Sequence, residues 1–179
     1  MVGFGPTHVG SNPTGAILPS NEASHMKYLR LTASEIEEMC DKLARIIKSG
    51  FKPDCIVGIG RGGLVPAVYL SDRLGVKKLY AFKIDYYTGD KRGREPVVSQ
   101  KPPLQLIRGN VLLVDDVADT GETLMLAKKL LEKHAKSIRI ATLHYKPHSK
   151  LKPDFFVQET RRWIVYPYQS VEFRKLARG

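Results

Sequence analysis

A chain of 179 residues can close one substantial core and is short for two. Apolar residues make up 42% and charged residues 26%, and no apolar run approaches the roughly 20 residues of a membrane span, which excludes a wholly disordered chain and a spanning helix. The net charge of +11 raises the question of a polyanionic partner, either nucleic acid or a phosphorylated small molecule. The basic residues scatter over "KSGFK", "DKRGR", "LEKHAKSIR", "HSKLK" and "FRKLARG", so a solvated basic surface accounts for most of them.

The first 25 residues are rich in Gly, Pro, Ser, Asn and Thr and precede a second methionine, Met26. They read as a disordered extension or an artificial tail, not a signal peptide, and the working domain is expected over 26–179. From Thr32, "TASEIEEMCDKLARIIKSG" carries an N-cap, Glu35 three residues on, apolar residues at helical spacing and Gly50 to stop it. "CIVGIG" predicts a short buried strand, and "LVPAVYLSDRLG" a helix ending at Gly75. "KLYAFKI" predicts a second strand. The polar, Gly- and Pro-bearing segment at about 85–103 is too long for an ordinary connector and is expected to be a flexible lid loop. "NVLLVDD" is the clearest buried strand, followed by the helix "GETLMLAKKLLEKH", the strand "SIRIATLHY" and a shorter "DFFVQ". Cys40 and Cys55 lack metal-like spacing, so buried free thiols and a reducing, cytoplasmic setting are expected.

Strand and helix alternate, which predicts an α/β fold: a mostly parallel sheet flanked by helices on both faces. In such sheets ligands bind beyond the carboxyl ends of the strands. "GIGRGG", Gly58 to Gly63, lies at one such end, and Asp85 follows at the spacing of a ribose-binding acid in dinucleotide folds. Arg61 weakens that reading, because dinucleotide loops normally present bare backbone to pyrophosphate. A glycine loop carrying an arginine suits a free, highly charged anion such as a leaving pyrophosphate. A tight turn that needs small residues for packing is the alternative.

"VLLVDDVADTGETL", Val111 to Leu124, lies at the other end. A buried strand that delivers Asp115 and Asp116 into the crevice could bind ribose hydroxyls or help to hold Mg²⁺. Thr120 to Thr123 then offer hydroxyls and N–H groups at a helix start, where a phosphate is stabilised by unpaired donors and the macrodipole. Together these describe a site for a 5-phosphoribosyl group. If Asp116 or Asp119 merely capped the helix, only one of the three carboxylates would be explained.

These residues resemble the phosphoribosyl-diphosphate signature of the type I phosphoribosyltransferases, and the chain from about Met26 to Tyr168 resembles their short 6-oxopurine branch. The resemblance implies that fold, with a hood at 85–103 and a small base-recognition segment formed by "YKP" and "RWIVYP". It implies Asp115 and Asp116 at the ribose hydroxyls and Mg²⁺, Asp119 facing the purine as proton acceptor, and Asp119, Thr120, Gly121, Glu122 and Thr123 around the 5′-phosphate. Gly60, Arg61 and Gly62 match the pyrophosphate loop, with Arg61 stabilising the leaving group. Lys146 matches the lysine at O6, Trp163 the ring stacked on the base, and Ile164 a backbone contact to the purine edge. Val165 and Tyr168 depart from the family pattern, which bears on base choice. His134, His144 and His148 show no metal spacing and are read as ordinary residues.

The resemblance implies transfer of the phosphoribosyl group from phosphoribosyl diphosphate to N9 of a 6-oxopurine, with Mg²⁺ as cofactor, in a cytoplasmic homodimer or homotetramer. No membrane or nucleic-acid partner is expected. The rival is a regulator on the same fold that binds nucleic acid and only senses the diphosphate, motivated by the +11 charge. If the first 25 residues are dispensable, a chain starting at Met26 should match the full chain in melting temperature and turnover, whereas a loss in either would make them structural.

Overall fold

The computed structural model describes residues 28–89, 93–169 and 171; the expected tail at 1–25, and residues 90–92 of the expected hood, lie outside the described residues. Strand β1 (Tyr28–Arg30) leads into helix α1 (Ala33–Lys48), which opens with the expected capping box. The Thr32 hydroxyl accepts the Glu35 N–H at 3.2 Å, while the Glu35 carboxylate accepts the Thr32 N–H at 2.7 Å. These hydrogen bonds hold the Glu35 carboxyl below its usual range. Ile36, Met39, Cys40, Leu43 and Ile47 recur at helical spacing and form its buried face.

Strand β2 (Cys55–Gly60), helix α2 (Leu64–Leu74), strands β3 (Leu79–Gly89), β4 (Gly93–Gln100) and β5 (Asn110–Ala118), and helix α3 (Glu122–Leu131) follow. Strands β6 (Ser137–Tyr145), β7 (Phe155–Glu159) and β8 (Trp163–Val165) complete the chain. Six strands form one sheet in the order β4-β3-β2-β5-β6-β7, parallel except for the edge strand β4. A second sheet, unexpected from the sequence, pairs β1 parallel with β8 and sets Tyr28 opposite Trp163. Three-residue strands are too short to show a period.

The alternation of β5 divides the core. Leu112 and Val114 face α1 and α2 together with Ile56, Leu143 and Tyr166. Val111 and Leu113 face α3, against Leu124, Ala127 and Leu131. Both faces of the strand are covered, which is why "VLLV" is continuously apolar. Cys40 and Cys55 are buried free thiols on opposite sides of the sheet, and burial pushes Cys40 up to about 12.

One expected element differs. The polar 85–103 segment is a ribbon through most of its length: β3 runs on to Gly89 and pairs antiparallel with β4 from Lys83 opposite Gln100 to Gly89 opposite Gly93. A two-stranded ribbon is held by backbone pairing and needs no apolar stripe, so its composition resembles that of a loop. Pro96 is accommodated because β4 is an edge strand. Since β2 pairs with β3 only as far as Lys83, the ribbon projects past the carboxyl end of β2.

The contact between the glycine loop and β5 is close. A Cβ on Gly63 would stand 2.5 Å from the Val114 carbonyl oxygen and 2.7 Å from Asp115 Cα, both backbone atoms that cannot swing away. Gly63→Ala should therefore destabilise the protein by about 1–3 kcal/mol, the usual cost of overpacking, measured as a lower urea midpoint. An unchanged midpoint would show that the loop can lift off the strand.

Candidate functional site at the sheet switch point

Strand β2 leads through α2 to β3 on one side, while its other neighbour β5 leads through α3 to β6 on the opposite side. The carboxyl ends of β2 and β5 therefore open where the winding reverses, the position at which ligands enter open α/β sheets. Gly60 and Arg61, joined by a cis peptide, leave β2 here, with Arg61 exposed and Gly62 and Gly63 buried. A Cβ on Gly62 would run into the Asp116 carboxylate. Packing thus accounts for the glycines at 62 and 63, in line with the tight-turn alternative.

Asp115 and Asp116 depart from the expected arrangement, in which both carboxylates end the strand and face the crevice. Strand β5 continues to Ala118, and adjacent residues in a strand point to opposite faces. Asp115 lines an open depression with Val117, Asp119, Thr120, Gly121, Thr123 and Leu124. Asp116 lies behind it, against Gly62 and the Tyr168 hydroxyl, which donates to Oδ2 at 3.2 Å. Burial pushes Asp116 up to about 6, and burial together with the charge of its neighbour pushes Asp115 well above the usual carboxylate range.

Neither Asp116 nor Asp119 caps α3. The N-cap is Gly121, at φ 82°, which has no side chain to cap with, and the Glu122 N–H donates instead to the Thr120 hydroxyl at 3.4 Å. A side chain at 121 would be strained by that φ and would also meet Ser149 Oγ at 2.7 Å. Thr120, Gly121, Thr123 and Leu124 bring the start of the helix to the depression. Glu122, whose charge would oppose an anion there, is drawn aside by Lys150 Nζ at 2.8 Å.

Lys146 and Trp163 meet at the same site from the far end of the chain. The Lys146 ammonium is buried, 3.5 Å from Asp119 Oδ1 and 5.8 Å from the centre of the Trp163 ring. Ile164 is buried among core residues and takes part in the β1–β8 ladder opposite Leu29.

Sequence reasoning missed three participants. His148, read as ordinary, places Nε2 2.9 Å from Asp119 Oδ1. Tyr166 donates its hydroxyl to the Asp116 carbonyl at 2.9 Å, and Tyr168 stacks on Tyr166 with ring centres 5.2 Å apart. Because the Tyr166 proton is given to Asp116, buried His144 must donate to that hydroxyl through Nδ1, at 2.9 Å. Burial lowers the His144 pKa to about 4 and keeps the ring neutral. The available signal was "YPY" directly after the base-segment strand, since two aromatic hydroxyls near buried acids need acceptors.

Residues 30–170 match the phosphoribosyl transferase domain family. A xanthine-guanine phosphoribosyltransferase of Gluconobacter oxydans is 31% identical over 118 residues, covering 64% of this chain and 68% of that one. The crystal structure of a purine phosphoribosyltransferase from Pyrococcus horikoshii superposes with a TM-score of 0.74 at 39% identity, covering 80% of this chain and 94% of that one. A Neisseria gonorrhoeae hypothetical protein with bound ppGpp superposes with a TM-score of 0.71 at 30% identity, covering 85% and 94%. Because the matched segment contains both the Arg61 loop and the acidic end of β5 that meet at the switch point, the chain belongs to the phosphoribosyl transferase domain family.

Proposed function

We propose that this protein transfers the 5-phosphoribosyl group of phosphoribosyl diphosphate to N9 of a 6-oxopurine and releases pyrophosphate. The observation that carries this reading is the convergence of a phosphate cradle and a base site on Asp119, which lines the depression before α3 and is contacted by Lys146 from the base side. The named relatives support it, since both act on purines by their descriptions. The ppGpp held by the gonococcal neighbour joins a guanine to phosphates, the same two chemistries this site would take.

In this reading the N–H groups at 120–123 and the α3 dipole hold the 5′-phosphate. Asp115 accepts hydrogen bonds from the ribose hydroxyls, and Asp116 supports it from behind through the Gly62 contact. Arg61, together with backbone N–H groups of Gly60 to Gly62, stabilises the departing diphosphate. Asp119 accepts the proton that the purine sheds, Lys146 donates to O6, Trp163 stacks on the base and the Ile164 backbone addresses its edge. The β3–β4 ribbon, which projects from the carboxyl end of β2, closes over the reacting carbon and excludes water.

Mg²⁺ fits this donor set. Asp115, which lines the depression, is a hard oxygen donor whose raised carboxyl a cation would return to the ionised form, while Asp116, expected beside it as a second ligand, faces away behind the strand. Among the described residues no group of three or more ligands forms, as expected for an ion that takes one or two carboxylates and completes its shell with substrate phosphates and water. When bound, the ion neutralises charge on the leaving group.

Without donor and metal, the buried charge of Asp116 destabilises the fold. Its carboxyl titrates near 6 when folded and near 3.9 when unfolded, so this group costs stability progressively as pH rises through that window and costs it fully above about 6. Asp116→Asn should stabilise the protein at pH 7.5 by about 3 kcal/mol, read as a higher melting temperature, with the gain fading towards pH 4. A lower melting temperature at pH 7.5 would show that the charge is stabilising.

The function is tested by pyrophosphate release with donor, Mg²⁺ and each of adenine, guanine, hypoxanthine and xanthine. Turnover is expected with one or more oxopurines and little with adenine, because an ammonium meets the adenine amino group donor to donor. Lys146→Met should cost about 10- to 150-fold in kcat/KM on the oxopurines and narrow the gap to adenine. No turnover with any base, combined with steeply salt-dependent nucleic-acid binding, would favour the regulator instead.

A further inference from the structure

We infer that His148 is a positioning residue for Asp119, an inference that rests on the phosphoribosyl-transfer reading above. Its Nε2 lies 2.9 Å from Asp119 Oδ1, and Lys146 Nζ stands 3.5 Å from the same oxygen. Two donors thus converge on one oxygen of a carboxylate whose side chain is only 13% exposed. Neither contact uses Oδ2, which is left to receive the proton.

The pairing is built into the backbone. Strand β7 begins its pairing at Ala141, midway along β6, so the connection at 146–154 stays near the carboxyl end of the sheet. There the Lys146 N–H donates to the Ala118 carbonyl at 3.0 Å, and the Lys150 N–H donates to the Thr120 carbonyl at 3.0 Å. Between these ties the Ser149 N–H closes a turn onto the Lys146 carbonyl at 2.9 Å. His148 is therefore held at a fixed separation from Asp119 by a loop anchored on both sides of that acid. An imidazole that is 60% exposed could turn to water at no cost, yet it is directed at the carboxylate.

During transfer the bond from N9 to the ribose carbon forms as the bond from that carbon to the diphosphate oxygen breaks, and its electron pair leaves with the diphosphate. The purine ring proton passes to Oδ2 of Asp119. His148 donates from Nε2 to Oδ1 throughout and holds the plane of the carboxylate, so that Oδ2 meets the proton in line. It touches no substrate atom and acts only through Asp119.

The test compares His148→Ala, His148→Gln and Asp119→Asn, singly and combined, in steady-state assays on the full chain with donor, Mg²⁺ and the best oxopurine. His148→Ala should lower kcat by about 10-fold while the donor KM moves less than about twofold, since the loss falls on the transition state. Glutamine carries an N–H donor at similar reach and should recover most of that loss. In the Asp119→Asn background, His148→Ala should cost nothing further, because the partner through which it acts is already altered. An unchanged kcat, a loss confined to donor KM, or an equal loss in both backgrounds would overturn the positioning role while leaving the transferase reading intact. A wild-type chain without turnover on any oxopurine would overturn both.

Discussion

The constraint on which the rest depends is the presence of two adjacent carboxylates inside a strand that is covered on both faces. A buried charge costs several kcal/mol unless it is paired or hydrogen-bonded. The surrounding structure can be read as the means of meeting that cost. The Asp116 N–H donates to Asp115 Oδ1 at 2.9 Å, and the Tyr168 and Tyr166 hydroxyls donate to the Asp116 carboxylate and carbonyl. Those tyrosines must come from somewhere, so the chain after β8 is drawn into the core. Strand β8 is in turn secured by pairing with β1, which also fixes where α1 begins. The small second sheet thus secures the segment whose two tyrosines bond Asp116.

A second organising feature is that the Lys146 loop and the start of α3 are not independent walls. The 146–151 loop is tied to residues 118–120 by backbone hydrogen bonds, and Gly121 has no side chain because that loop packs over it. The Lys146 ammonium therefore keeps its distance from the start of α3 without a flexible arm between them. Preorganisation of this kind lets binding energy be spent on reaction geometry instead of loop ordering.

How much of this was legible depended on how far apart the cooperating residues lie. The helix from Ala33, the strand "SIRIATLHY" and the acidic end of β5 were readable because their signals are local: a capping box, a period and an abrupt change from apolar to acidic. The ribbon at 85–103 was read as a loop because exposed antiparallel strands leave no apolar trace. The opposed directions of Asp115 and Asp116 were hidden because the strand continues for two residues past them. Tyr166 and His148 could not be found by spacing, since their partners lie 50 and 29 residues away and only the order of strands brings them together.

The stacked Tyr166–Tyr168 pair has an evolutionary consequence. It sits directly after the strand bearing Trp163, yet its hydroxyls terminate on Asp116, near the far end of a different strand. A substitution at 168 would remove the donor to the Asp116 carboxylate, and one at 166 the donor to its carbonyl. Substitutions at these two positions are therefore tolerated best where they keep an oxygen or nitrogen donor facing Asp116.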